Sequence, residues 1–292
     1  LMLAAVVGLF MGVGLVFFLE YLDNTISTPE EVTDYLKVPY LGPVPAFSQN
    51  GSVDGVPAEL ISIHSPKSTA SEAYRGLRTN LLFSSTGQKP VVIMVTSAGP
   101  LEGKTLTSSN LAVTLARSHQ PVLLIDGDMR RPRVHKVFQT NHSKGLSGIL
   151  VGKDAPGEAI VQTAIKGLHL LPVGHIPPDP SELIGSKAMK NFIASLKTKF
   201  KFIVIDTPPV TAVTDAAALS QFVDGIIMVS RIGTMPRQVI RDSLEQLRAV
   251  QTKILGVVLN GVGSGKGSYY YSQYYYSYYG EDRGKRRRST AV

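Results

Sequence analysis

At 292 residues the chain is long enough to bury one full α/β core with appendages, and with no cysteine it excludes a disulfide framework and a thiolate metal site. The formal charge of +8 is unevenly placed: residues 264 to 292 hold six basic and two acidic side chains, half of the net charge in a tenth of the chain. Such a tail attracts anionic lipid or nucleic acid, or is simply solvated; charge alone leaves these open.

Leu1 to Leu19 is an unbroken apolar run ended by Glu20. As a helix it would be about 28 Å long, near the hydrocarbon thickness of a bilayer, and it reads as a membrane span. It lacks the basic start and small-residue cleavage site of a signal peptide. Because the chain begins with Leu rather than Met, a preceding region is expected. Next comes a helix start, with Thr28 as cap, Pro29 in the first turn, and Glu30 and Glu31 near the positive end of the dipole. Residues 46 to 57 are rich in Gly, Ser, Asn and Pro and read as a flexible linker.

Ser68 to Phe83 is predicted helical, with Glu72, Arg75 and Arg78 at three-residue intervals along one side. The stripe is either a solvated charged face or a docking surface for a neighbouring subunit.

Val91 to Thr105 organises the rest: a β-branched apolar run, then a loop ending Gly103-Lys104-Thr105, then an apolar helix over Thr105 to Ser118. Strand, loop and helix in this order cradle a polyphosphate on backbone N–H groups and the helix N-terminus. The loop residues Ala98, Gly99, Pro100, Leu101, Glu102, Gly103, Lys104, Thr105 and Leu106 are the candidate nucleotide contacts. Lys104 would reach the outer phosphates and the Thr105 hydroxyl would bind Mg²⁺. Ala98 stands where the strict pattern has Gly.

Two further buried strands end in carboxylates: Pro121 to Asp126, followed by Asp128, Arg130 and Arg131, and Phe202 to Asp206. Ligands of an open parallel sheet sit beyond the carboxyl ends of its strands, so all three motifs should converge on one crevice. Asp206 fits an acid holding Mg²⁺ opposite Thr105. Further elements are expected as a short helix after Gly145, a strand at His169 to Val173, a helix capped by Ser181, and an amphipathic helix at Lys187 to Phe200. Past Asp206 come a helix at Asp215 to Phe222, a strand at Gly225 to Ser230, a helix at Pro236 to Val250 and a strand at Ile254 to Leu259. Strands alternating with helices predict a doubly wound, mostly parallel α/β sheet.

Eight of the twelve tyrosines fall in residues 268 to 280: Tyr269, Tyr270, Tyr271, Tyr274, Tyr275, Tyr276, Tyr278 and Tyr279. They are either a low-complexity adhesive segment or substrates.

With these motifs together, the chain resembles the bacterial tyrosine kinases that accompany capsular and exopolysaccharide synthesis. The resemblance rests on Pro100 to Thr105, Ile125 to Pro132, Ile205 to Pro209, the Glu72/Arg75/Arg78 spacing, Gly145 to Ser147, Pro180 to Leu183 and the tyrosine cluster. It implies a P-loop fold that binds ATP and Mg²⁺ through Lys104 and Thr105, with Asp128 and Asp206 completing the metal site. It also implies that Asp126 orients or deprotonates the attacking tyrosine, and that the eight tail tyrosines accept phosphate between subunits. By the same resemblance, Glu72, Arg75 and Arg78 mediate assembly of a ring-like homo-oligomer at the bacterial inner membrane. A polysaccharide export machinery and a phosphotyrosine phosphatase are implied partners, and no nucleic acid is. The expected layout is a span at 1–19, a juxtamembrane segment and linker at 20–60, a kinase domain at 61–262 and a tail at 263–292. Leu101 departs from the family pattern, which has Gly there. The other readings are a membrane-tethered ATPase of the partitioning or positioning type, whose early loop Lys is replaced here by Gly99, and a non-catalytic nucleotide-dependent assembly switch.

Overall fold

The computed structural model describes residues 2–22, 24–53, 56–83, 91–141 and 143–263; the expectations for the tyrosine cluster lie outside the described residues. The elements begin with α1 (Met2–Leu22), β1 (Tyr40–Pro45), β2 (Ser52–Val53), β3 (Val56–Pro57), α2 (Ile61–His64) and α3 (Thr69–Phe83). They continue with β4 (Val92–Ser97), α4 (Lys104–Ala116), β5 (Val122–Asp126), α5 (Val134–Val137), α6 (Leu146–Leu150), α7 (Pro156–Ala159), β6 (Val161–Gln162) and β7 (Leu168–Leu171). The last are α8 (Pro180–Ile184), α9 (Lys187–Leu196), β8 (Phe202–Asp206), α10 (Asp215–Ser220), β9 (Gly225–Arg231), α11 (Arg237–Ala249) and β10 (Ile254–Val262).

Eight strands form one sheet in the order β1-β10-β9-β4-β8-β5-β7-β6. Every pairing in it is parallel except that of β6 with β7. The central strands are buried along their whole length, which is why their sequences are continuous apolar runs. Alternate side chains feed two apolar layers. Val92, Met94, Leu123, Ile125, Ile203 and Ile205 pack on the side that receives Phe192, Ile193 and Leu244. Ile93, Val95, Leu124 and Val204 pack on the side that receives Tyr74, Leu77, Leu111 and Leu115. Each of these buried side chains contributes about 1.5–3 kcal/mol relative to exposure. The strict alternation also pins the register, since a one-residue slip would exchange the two layers.

The predicted mostly parallel α/β sheet is therefore observed, with helix ends shifted by a few residues. Three expectations are corrected. Residues 20–60 are not a segment apart: Tyr40–Pro45 adds an edge strand paired with β10, and Thr25 bridges Pro236. The stretch 46–57, expected as a flexible linker, contains the hairpin β2–β3. Ser181 lies inside the first turn of α8, not at its cap. Thr28, by contrast, does cap. Its hydroxyl accepts the Glu31 N–H (3.3 Å), while the Glu31 carboxylate accepts the N–H groups of Ser27 and Thr28 (2.8 and 3.0 Å). This reciprocal capping box starts a short π-helical turn at Glu31–Tyr35.

The apolar N-terminal run forms the 21-residue helix α1, with Phe10, Met11 and Phe17 exposed. Among the described residues no helix is long and apolar enough to cross a membrane. Leu1 and several side chains of α1 lie outside the described residues, and the span read at 1–19 rests on its sequence.

Candidate active site

Strand β4 is the central strand from which the loop departs. It pairs with β8 on one side and β9 on the other, so the loop after Ser97 emerges from the most constrained part of the sheet. Its backbone is tied down from three directions. The Thr211 hydroxyl donates to the Ala98 carbonyl (2.7 Å), the Asn260 amide donates to the Glu102 carbonyl (2.8 Å), and Ser97 donates to the Gly99 carbonyl (2.6 Å). Gly103 has φ +93°, and a Cβ there would collide with the Asn260 side chain. Gly103 therefore makes a left-handed turn against a neighbouring side chain. Met235 lays its flexible thioether end against Gly99.

Leu101 holds φ +63° with its side chain 82% exposed. The backbone keeps the left-handed conformation that glycine would take without cost, and the Leu side chain is directed to solvent.

Glu102 is fully buried beneath the loop, and its carboxylate accepts the Ala98 and Gly99 N–H groups (3.1 and 3.4 Å). Burial, only partly opposed by those donors, pushes its pKa up to about 8. Glu102 therefore occupies N–H groups at the start of the loop rather than facing a ligand.

Helix α4 starts at Lys104, so Lys104 and Thr105 sit at its first turn. The Lys104 ammonium lies 3.1 Å from Asp128 Oδ2. Burial disfavours its charge, but Asp206 and Asp128 outweigh that and leave its pKa raised, so it stays protonated. The Thr105 hydroxyl donates to Asp206 Oδ2 at 2.7 Å. Burial lifts the Asp206 carboxyl to a pKa of about 6, against the lowering effect of Lys104 and Thr105. Lys104, Thr105, Asp128 and Asp206 are thus brought together, as the three convergent motifs suggested.

Asp126 stands apart from that group in its bonding. It is fully buried, and its carboxylate accepts the N–H groups of Asp128, Arg133 and Val134 (3.3, 3.0 and 2.9 Å). Its pKa is pushed well above the carboxylate range by burial and by Asp206. The loop it organises is held at its other end by a contact that sequence reasoning missed. Arg130 donates to both oxygens of the buried Asp215 (2.9 and 3.1 Å) and to Ser181 (2.8 Å), and Ser181 itself donates to Asp215 (2.5 Å). The only sequence signal for it was the Arg pair following Asp128.

Glu72, Arg75 and Arg78 lie on α3 as expected, but each has an intramolecular role. Arg75 pairs with Glu72 and donates to the Pro66 carbonyl. Arg78 donates to the Thr114 carbonyl on α4 (2.9 Å).

A glycine-shaped loop between a central parallel strand and a helix that begins Lys-Thr, facing two strand-end aspartates, defines a P-loop nucleotide-binding α/β domain. A family model described as an AAA domain matches residues 91–257. The tyrosine-protein kinase YwqD of Bacillus subtilis is 38% identical over 202 residues, covering 69% of this chain and 85% of that protein. The tyrosine-protein kinase etk of Escherichia coli is 32% identical over 276 residues, covering 89% of this chain but 38% of its own length. The solved kinase domain of the Escherichia coli tyrosine kinase ETK superposes with a TM-score of 0.75 at 31% identity, covering 81% of this chain and 95% of that one. The septum site-determining protein MinD of Pyrococcus horikoshii, solved as its complex with Mg-ADP, matches with a TM-score of 0.53 at 25% identity over 61% of this chain and 72% of that one. The chain belongs to the bacterial tyrosine kinase family.

Proposed function

We propose that the chain is an ATP-dependent protein-tyrosine kinase that phosphorylates its own C-terminal cluster, Tyr269 to Tyr279, between subunits of a homo-oligomer at a bacterial inner membrane. In this reading it regulates capsule or exopolysaccharide synthesis and export, with the apolar run at 1–19 as the membrane span, the folded unit beginning ahead of β1 where Thr25 bridges Pro236, and the tail from residue 263 as substrate. The observation that carries the reading is the meeting of Lys104, Thr105, Asp128 and Asp206 beyond the ends of β4, β5 and β8.

The donor set suits Mg²⁺. Thr105 and Asp206 offer hard oxygens, and Asp206 Oδ1 is buried without a hydrogen bond. Among the described residues no cluster of three acidic, His or Cys side chains converges on a metal. In this reading the ion is held through one or two protein oxygens and the substrate phosphates. Bound there, Mg²⁺ would neutralise charge on the β- and γ-phosphates.

In this reading Lys104, protonated and set between Asp128 and Asp206, moves its ammonium from carboxylate to phosphate oxygens when ATP enters, and the loop N–H groups orient the chain of phosphates. A tyrosine hydroxyl, with pKa about 10, arrives protonated and passes its proton to a carboxylate as the new P–O bond forms and the bond to ADP breaks. Asp126 has the raised basicity for that task, but its oxygens are occupied by the 128–134 backbone. Contact with a tyrosine therefore requires that loop to open; closed, Asp126 positions Asp128.

A mixing experiment tests transfer between subunits. Chains carrying Lys104→Met keep the tyrosines, and chains with all eight tail tyrosines changed to Phe keep the loop. Phosphotyrosine on the Lys104→Met partner is the expected result; its absence, with wild-type chains active, excludes transfer in trans.

A further inference from the structure

Next to the nucleotide site the sheet carries an open groove of about 1180 Å³ between the turn after β5 and the turn after β7. Its lining includes Arg131, Arg133, His135, Lys136, His175 and Glu59. The exposed Arg131, Arg133 and Lys136 are cationic side chains, and the lining's carboxylate, Glu59, is paired with Arg133 at 2.5 Å. By formal charge, leaving His out of the count, the lining carries about +2. Pro132 and the exposed Ile176 add an apolar surface in the same groove. The groove also borders the catalytic loop: the Arg131 N–H donates to Asp128 Oδ1, and the Arg133 N–H to Asp126 Oδ2, both at 3.0 Å.

Residues 268 to 280 contain eight tyrosines and no charged side chain. Before modification this segment brings aromatic faces but no negative charge to a cationic groove. One phosphate adds about −1.5 to −2 charge on an aromatic ring, which matches the groove's charge and its mixed cationic and apolar lining. We propose that this groove is a phosphotyrosine-binding site that retains a tail already phosphorylated once, so that a neighbouring tyrosine of the same tail is presented to the nucleotide site. This rests on the kinase reading and gives the tyrosine clustering a physical use. Capacity for about one phosphate also limits retention, since further phosphates exceed the groove's charge and repel.

The test uses the full chain in detergent, dephosphorylated with a tyrosine phosphatase and kept without ATP. Two labelled peptides of sequence 268 to 280, one unmodified and one phosphorylated at Tyr275, are titrated by fluorescence anisotropy. The phosphopeptide should bind at least about tenfold tighter, in line with new charge-assisted hydrogen bonds. The exposed-site variant Lys136→Ala should reduce the preference several-fold, and Arg131→Glu with Lys136→Glu should erase it. Equal binding of the two peptides, or a preference indifferent to both variants, overturns the proposal. So does residue-131/136-dependent binding to phosphatidylserine vesicles without peptide preference, which makes the groove a lipid contact. Tail phosphorylation with ATP is measured separately: if it proceeds while the two peptides bind equally, the groove proposal fails and the kinase reading stands. If the preference holds and no phosphotyrosine forms, the kinase reading fails and the groove stands as a phosphotyrosine-binding site.

Discussion

The Thr105 hydroxyl donates a 2.7 Å hydrogen bond to Asp206 Oδ2, joining the first turn of α4 to the end of β8. The other oxygen of that carboxylate is buried with no hydrogen bond within the usual geometry; the nearby Ser108 hydroxyl donates to the Thr105 carbonyl and also helps to hold the Asp206 pKa down. A half-satisfied buried carboxylate is costly to maintain in a core. The proposed Mg²⁺ site would account for its retention beside Lys104.

Thr105→Ala removes the donor and one oxygen of the Mg²⁺ site together. Phosphoryl transfer should fall at least about 100-fold, the size associated with losing one preorganised electrostatic contact. Raising Mg²⁺ should recover part of the loss. A variant with wild-type activity at limiting Mg²⁺ would remove Thr105 from the metal site.

Glu102 makes stability depend on pH. Its carboxyl titrates near pH 8 in the fold against an ordinary value of 4.5, so the folded state holds its proton more tightly than the unfolded state. The resulting stabilisation is fully present below pH 4.5 and is lost as pH rises towards 8. Glu102→Gln should stabilise the nucleotide-free chain by a few kcal/mol at pH 8.5 relative to wild type, and little at pH 4.5. Urea unfolding at the two pH values measures it; an effect of equal size at both would show that Glu102 titrates normally.

How much of this site was legible differs by residue type. The strands β4, β5 and β8 were readable because burial on both faces forces continuous apolar runs, and the register sets Asp126 and Asp206 side by side at the ends of β5 and β8. Strand β1 was not, because Gly42, Pro43 and Pro45 punctuate it; prolines are tolerated there since the strand pairs only with β10. Asn260, which secures the loop from β10, and the Arg130–Ser181–Asp215 cluster join residues far apart in sequence. No local pattern records such pairings. The bond from Arg78 to the Thr114 carbonyl was hidden for the same reason, whereas the Arg75–Glu72 pair follows from their three-residue spacing.

Leu101 sets a local test of backbone strain. Left-handed geometry costs a non-glycine residue about 1–2 kcal/mol, partly offset by the added chain entropy of glycine. Leu101→Gly should be neutral to stabilising by up to about 1 kcal/mol, with nucleotide affinity unchanged because the side chain faces solvent. Leu101→Val should destabilise by at least about 1 kcal/mol. Thermal unfolding and nucleotide titration check both, and a Gly variant with altered affinity would assign the Leu side chain a contact with ligand.

For the proposed assembly face, Arg75→Ala with Arg78→Ala should convert the oligomer to monomers by light scattering. The ion pair with Glu72 is partly exposed and contributes less than about 1 kcal/mol of fold stability, to which the lost hydrogen bonds to the Pro66 and Thr114 carbonyls add about 1 kcal/mol each. An unchanged oligomer would leave these residues with their intramolecular bonds alone.

The most direct test of tyrosine kinase activity incubates the purified chain with ATP and Mg²⁺ and maps modified residues by mass spectrometry, beside a Lys104→Met chain whose fold is verified by circular dichroism. Phosphate on residues among Tyr269 to Tyr279 in the wild type alone is the expected result. ATP bound or hydrolysed with no phosphotyrosine, or phosphotyrosine persisting in Lys104→Met, would contradict it.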